Sequence, residues 1–224
     1  MPLMGEGLLA VWTDVVPSAE DDFNLWYTHQ HVPERVGVPG FLRGRRYAAP
    51  ERAQHRYCAF YETQTLAVLQ SGAYLARLND PTEWTQRVMP NFRNMIRGAC
   101  KTLATSGVGI GGALATLRLD LSSAWDTVDA AALKRFTAEV TSAPGFIGTH
   151  IAVRDRALAG MPTKEATLRT TPDALFDGVL LLESASRKEL EARLADVERK
   201  LATAWPQAPV ADVALYDLAF ALTP

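Results

Sequence analysis

Cysteine is scarce in this 224-residue chain. There are two, Cys58 and Cys100, each inside an apolar strand-like run and neither in a Cys-x-x-Cys or Cys/His ligand spacing. A disulfide scaffold and a zinc site are disfavoured, and two buried, reduced thiols in a cytoplasmic protein are expected. A charge surplus is missing as well. Lys and Arg number 23 against 25 Asp and Glu, a formal net charge of -2, and neither half is strongly basic. Nothing there implies a nucleic-acid partner.

Long apolar runs are also lacking: none approaches the roughly 18–20 residues a membrane helix needs, so no membrane partner is expected. The start, Met-Pro-Leu-Met-Gly-Glu, has neither the basic residues nor the apolar core of a secretion signal. Nucleophile elbow, P-loop and His-Glu-x-x-His are all missing. Gly107-Val-Gly-Ile-Gly-Gly112 precedes a strand instead of following one, so it reads as a linker and not as a dinucleotide loop.

What is present is organised around Phe23-Asn-Leu-Trp-Tyr-Thr-His-Gln-His-Val-Pro-Glu-Arg35. The run reads as an amphipathic helix, capped by Ser18 and opened by Glu20, Asp21 and Asp22, which suit the positive end of its dipole. At about 100° per residue Phe23, Trp26, Tyr27, Gln30 and Glu34 share one face, with His31 at its edge and His29 opposite. Pro33 predicts a stop near His31, beside free carbonyls that favour imidazolium. A histidine so placed either bonds those carbonyls or serves as an acid or base near neutral pH. His29 and His31 diverge by about 200° on a helix, which disfavours a shared metal.

In order, the first half predicts strands over 6–14, 41–48, 55–62 and within 91–105, with helices over 65–78 and 81–88 between the last two. The second half predicts strands over 112–121, 146–153, 178–183 and 210–222, with helices over 128–142 and from Ser186, where Glu189 completes a capping box. Both halves read β-α-β-β-α-β. Val38-Pro-Gly-Phe41 and Ala143-Pro-Gly-Phe146 hold matching places, so a duplication is expected, with units 1–106 and 107–224. Such a unit is the ferredoxin-like plan, α+β, with an antiparallel sheet covered by helices on one face. Leu8, Ala10 and Trp12 alternate with the equally apolar Leu9 and Val11, which predicts a sheet covered on both faces. The 23 residues from Arg154 to Phe176 read as a long loop, a lid or a subunit contact.

The run from Phe23 to Arg35, continued by Val38-Pro-Gly-Phe-Leu-Arg-Gly-Arg-Arg-Tyr47, resembles the EthD-like branch of the dimeric α/β-barrel superfamily. Ala73-Tyr-Leu, Pro81-Thr-x-Trp84-Thr and Asn91-Phe-Arg-Asn-Met95 agree with it, so the resemblance covers most of residues 6–105. It implies two ferredoxin-like units whose sheets pack as an intrachain version of the barrel dimer, with a ligand cavity between sheet and helices of one unit. Similar proteins include cofactor-independent monooxygenases, polyketide cyclases, muconolactone-type isomerases and haem proteins. His31 matches the histidine that ends the first helix in the EthD-like pattern. The preceding position, often acidic in similar sequences, is Gln30.

The first unit is expected to hold the pocket and the second to be mainly structural, since His150 has no evident partner. Trp12, Trp26 and Trp84 either wall a flat ligand or pack the core. A regular closing strand puts Arg93 and Arg97 on one side, to clamp a carboxylate or to pair with acids at a rim, and Asn94 on the other. The expected function is a cofactor-independent enzyme on a small aromatic or polyketide-like acid. His31 would move a proton, Tyr27 and Asn94 would steady an oxyanion and Arg97 would anchor the carboxylate. A cofactor-independent monooxygenase, a non-catalytic binder and an assembly module are the alternatives. No cofactor is expected, haem finding no second feature beside His31, and the partners are a small-molecule ligand and a second copy of the chain.

Overall fold

Strand β1 (Gly7–Val15) is buried at all nine positions, as a strand apolar on both faces should be. In the computed structural model, which describes residues 2–121, 128–158 and 162–224, it pairs antiparallel with β3 (Tyr57–Thr63), and β3 pairs antiparallel with β2 (Phe41–Ala48). The remaining strands are β4 (Phe92–Gly107), β5 (Ala113–Leu119), β6 (Phe146–Arg154), β7 (Gly178–Ser184) and β8 (Val210–Leu222). All eight hydrogen-bond in the order β1-β3-β2-β8-β5-β7-β6-β4 as a closed antiparallel barrel. The helices are α1 (Glu20–Trp26), α2 (Val32–Val36), α3 (Gly72–Asn79), α4 (Glu83–Val88), α5 (Ala130–Ser142), α6 (Lys164–Thr167) and α7 (Arg187–Ala204). Among the described residues no helix is long and apolar enough to cross a membrane.

Two compact units can be distinguished. The first comprises Gly5–Ala99, Asp155–Leu175 and Ala219–Pro224, and the second Met1–Met4, Cys100–Arg154 and Phe176–Leu218. In the first unit, one face of β1, β2 and β3 meets the helices. Leu9, Val11, Ala59 and Tyr61 pack there with Phe23 and Trp26, both fully buried. Burial of each such ring is worth roughly 2–3 kcal/mol. Gly44 admits α2 closely, since a Cβ there would lie 2.8 Å from Val32. The other face of the same strands carries Trp12 against Phe60, with ring centroids 5.6 Å apart, and a buried charge cluster. Arg43 forks onto Glu62 through two bonds of 2.8 Å, and Arg45 Nε lies 3.1 Å from the same carboxylate.

In the second unit β5 and β7 are buried throughout, and α5 and α7 each bury one stripe, Leu133, Phe136 and Val140 against Leu190, Val197 and Leu201. Ser186 caps α7 by accepting from the Glu189 amide, but Glu189 bonds Arg193 instead of returning to the cap, so half of the expected capping box forms. Both Pro-Gly turns need their glycine: Gly40 has φ +94° and Gly145 φ +93°.

Three helix expectations are corrected. Ser18 does not cap α1; Pro17 opens a tight 3-10 turn, and Ala19 precedes the helix without a side-chain cap. The helix expected over 65–78 divides, because Ser71 is extended and its hydroxyl starts α3 by accepting from the Tyr74 amide. The loop expected over 154–176 contains α6, capped by Thr163; its residues 159–161 lie outside the described residues. Cys58 and Cys100 are both buried and in no disulfide, and burial pushes both thiols up, so they stay protonated.

Candidate active site

The path from Phe23 to Val36 builds the site. After α1, residues Tyr27–His31 form one π-helical turn, and the Val32 amide donates five residues back to Tyr27. That wider turn makes room for the Pro33 ring, which sits in the first turn of α2 where its missing N–H costs nothing. The expected stop at His31 is therefore corrected: the chain stays helical to Val36. Trp26, Tyr27 and His31 all turn inward, while His29 is exposed. Trp26 donates its indole N–H to Thr85 of α4 at 3.2 Å, which fixes the turn against that helix.

His31 thus lies within the helix and not beside free carbonyls. Its ring stacks on Trp26, centroids 4.2 Å apart, and meets Tyr27 and Tyr61 edge-on at 5.0 and 6.1 Å. Burial first, and then Arg35, Arg46 and Arg97, hold its pKa well below the usual 6.5, so the imidazole is neutral at neutral pH. Its Nδ1 is buried and has no hydrogen-bond partner among the described residues. Gln30 bonds Glu34 and Thr85 and leaves the imidazole alone.

Beside His31 opens a cavity of about 30 Å³, room for one or two waters. Leu9, Val11 and Phe92 form apolar wall, and Tyr27, Arg35, Tyr61 and Arg97 bring polar groups. Burial outweighs the nearby guanidinium of Arg46 and pushes the Tyr27 phenol up to about 12; burial raises Tyr61 well above its usual value too. Both phenols are protonated donors. Arg97 donates to the Tyr74 hydroxyl at 3.2 Å, and Arg35 pairs with Glu165 of α6 with its guanidinium 5.7 Å from the Tyr74 ring centre. Burial pulls Arg35 down, but Glu165 reverses that and keeps it charged.

The structure brings together His31, Tyr27 and Arg97, with Trp26 stacked behind the imidazole. It does not bring the others. Trp12 lies on the opposite face of β1, and Trp84 is half-buried, bonded to Asp22 and covered by Arg87. Asn94 has φ +52°, which breaks the alternation of β4: Phe92 and Met95 both enter the core, and Asn94 turns out to Asp14. Arg93 is folded back on the carbonyls of Pro90 and Phe92. Sequence reasoning missed Arg35, Tyr61, Tyr74 and Glu165; Arg35 alone had a signal, four residues after His31 in the helical run. It also missed a buried cluster in the second unit, where His150 bonds Thr105 at 2.7 Å and Glu183 at 3.0 Å.

A pH dependence follows from the depressed His31. The unfolded chain takes up this proton near pH 6.5 while the folded protein does not, so stability falls as pH drops below 6.5. The slope from this group is at most about 1.4 kcal/mol per pH unit. Urea midpoints between pH 7 and 5.5 are expected to fall more steeply for wild type than for His31→Gln; parallel curves would contradict a neutral buried imidazole.

No family model matches the chain, and no curated protein does. Solved structures similar to it include an anthrone oxidase-like protein, 11% identical, TM-score 0.64, covering 100% of this chain and 95% of that one. A "putative monooxygenase" of Fusobacterium nucleatum subsp. nucleatum is 12% identical with a TM-score of 0.55, covering 96% and 92%. A chlorite dismutase mutant of Candidatus Nitrospira defluvii is 8% identical with a TM-score of 0.55, also covering 96% and 92%. At these identities the likeness is one of fold. The chain has the fold of dimeric α/β-barrel proteins.

One expectation is overturned here. No cofactor is expected from the residues alone, yet chlorite dismutases are haem proteins, so haem belongs to the range of this fold. The His31 surroundings do not fit it. The cavity beside it is faced by guanidinium, carboxylate and phenol groups, a lining suited to a small anion and not to a large flat macrocycle.

Proposed function

We propose that the chain is an enzyme acting on a small aromatic or polyketide-like acid at the His31 cavity. The observation that carries this reading is a neutral, buried imidazole whose Nδ1 has no hydrogen-bond partner among the described residues, beside the guanidiniums of Arg35 and Arg97. His31 takes a proton from an activated carbon of the substrate. Tyr27, protonated and edge-on to His31, donates to the oxygen on which charge develops, and Arg97 holds the carboxylate. An isomerase, cyclase or lyase uses these roles. Names among the structural neighbours favour a second reading, in which the carbanion formed at His31 reacts with dioxygen.

In the same proposal the chain is an EthD-like, tandem pair of ferredoxin-like units, 1–106 and 107–224, working in the cytoplasm and able to self-associate. The matched positive φ angles of Gly40 and Gly145 support the duplication. The test is a thermal-shift screen against aromatic and polyketide-like acids, run on wild type and His31→Gln. A ligand that raises the wild-type Tm by several degrees and loses its effect in the variant is expected. A ligand bound equally by both would move the site away from His31.

A further inference from the structure

Arg35 has a role that the proton-transfer reading leaves unused. It reaches the cavity from α2, is 2% exposed, and bonds Glu165 through Nη2 while its buried Nη1 meets no acceptor among the described residues. A guanidinium offers two parallel donors shaped for both oxygens of a carboxylate. Glu165 therefore fills only part of the fork. It arrives from far along the chain, on the four-residue α6, whose first amide is tied to Asn79 at 3.0 Å. Arg97 and Arg169 also line the cavity, and Arg169 is already paired with Asp173 by two bonds of 2.7 and 2.9 Å.

We propose that Arg35, beside Arg97 in the lining of the same cavity, completes the anion subsite of the His31 cavity, that Glu165 is its internal stand-in, and that the carboxylate of a small aromatic acid takes the place of Glu165. This rests on the reading of the cavity as a binding site for such acids. Charge arithmetic favours exchange over simple loss. Withdrawing Glu165 alone strands a buried guanidinium, whereas a ligand carboxylate leaves the pair intact. A neutral ligand has nothing to offer Arg35, so the subsite selects anions. Departure of the Glu165 side chain also widens a cavity that otherwise holds one or two waters, which is how a ring gains entry.

The test is chemical rescue. In Glu165→Ala, about 50 mM acetate is expected to raise Tm by about 3 °C or more over the same concentration of chloride. Wild type and the double variant Arg35→Gln/Glu165→Ala are expected to show no such difference. Equal shifts with acetate and chloride, or rescue that persists without Arg35, would overturn the proposal. If Glu165→Ala does not fold, benzoate is titrated into Glu165→Gln, with binding at least about fivefold tighter than in wild type expected; equal, weaker or undetectable binding counts against the subsite. Acetate rescue without any benzoate effect on wild type would keep the subsite and remove the aromatic-acid reading.

Discussion

His31→Gln is expected to lower turnover of the acid found in the screen by about 100- to 10,000-fold, the usual contribution of a positioned general base. The expectation rests on three features of the imidazole. It is neutral, because burial and three guanidiniums oppose its protonation. Its orientation is fixed by Trp26 on one face and by the edges of Tyr27 and Tyr61. Its Nδ1 is left without a partner, an arrangement that costs stability unless something else satisfies it. Glutamine keeps polarity and much of the volume but cannot take the proton. The lost stacking on Trp26 is worth roughly 1 kcal/mol, so Tm should move by only a few degrees. The fall should appear in kcat more than in KM. A large drop in Tm with turnover intact would make His31 a core residue and nothing more.

Glu62→Ala is expected to be the most destabilising single change in the first unit, by about 3–5 kcal/mol, or roughly 10 °C in Tm. Arg43 and Arg45 are each 1% exposed, and both meet the Glu62 carboxylate. Removing the carboxylate takes from two buried guanidiniums the anion they share. The charge, not the volume, carries the penalty, so the triple variant Arg43→Met/Arg45→Met/Glu62→Leu should recover most of the loss. Urea unfolding of the two proteins checks this. A loss under about 1 kcal/mol for Glu62→Ala would mean that the cluster is hydrated or is re-paired.

The strands were legible because β1 is apolar at nearly every position, and an alternation with no polar face has one reading. The two Pro-Gly turns were legible because a positive φ demands glycine. The π turn was not. Pro33 reads locally as a helix stop, and only packing of Trp26 and Tyr27 against the sheet decides that the chain widens by a residue and continues. Asn94 was misplaced for a similar reason: one positive φ in β4 shifts the parity of everything before it, and an asparagine on a strand does not announce it. Glu165 was illegible in principle, since nothing periodic ties a loop acid to an arginine 130 residues earlier. The Arg43–Glu62 cluster was hidden by convention, because charges on a strand are read as a solvated face.

The most direct test is a long-range 15N–1H spectrum of protein labelled at its four histidines, with His31 assigned through His31→Gln. Spectra are recorded at pH 6, with and without the acid that scores in the thermal-shift screen. A neutral His31 ring at pH 6 is expected, with nitrogen shifts confined to His31 on ligand addition. A His31 that is protonated at pH 6, or that ignores the ligand while another histidine responds, would contradict it.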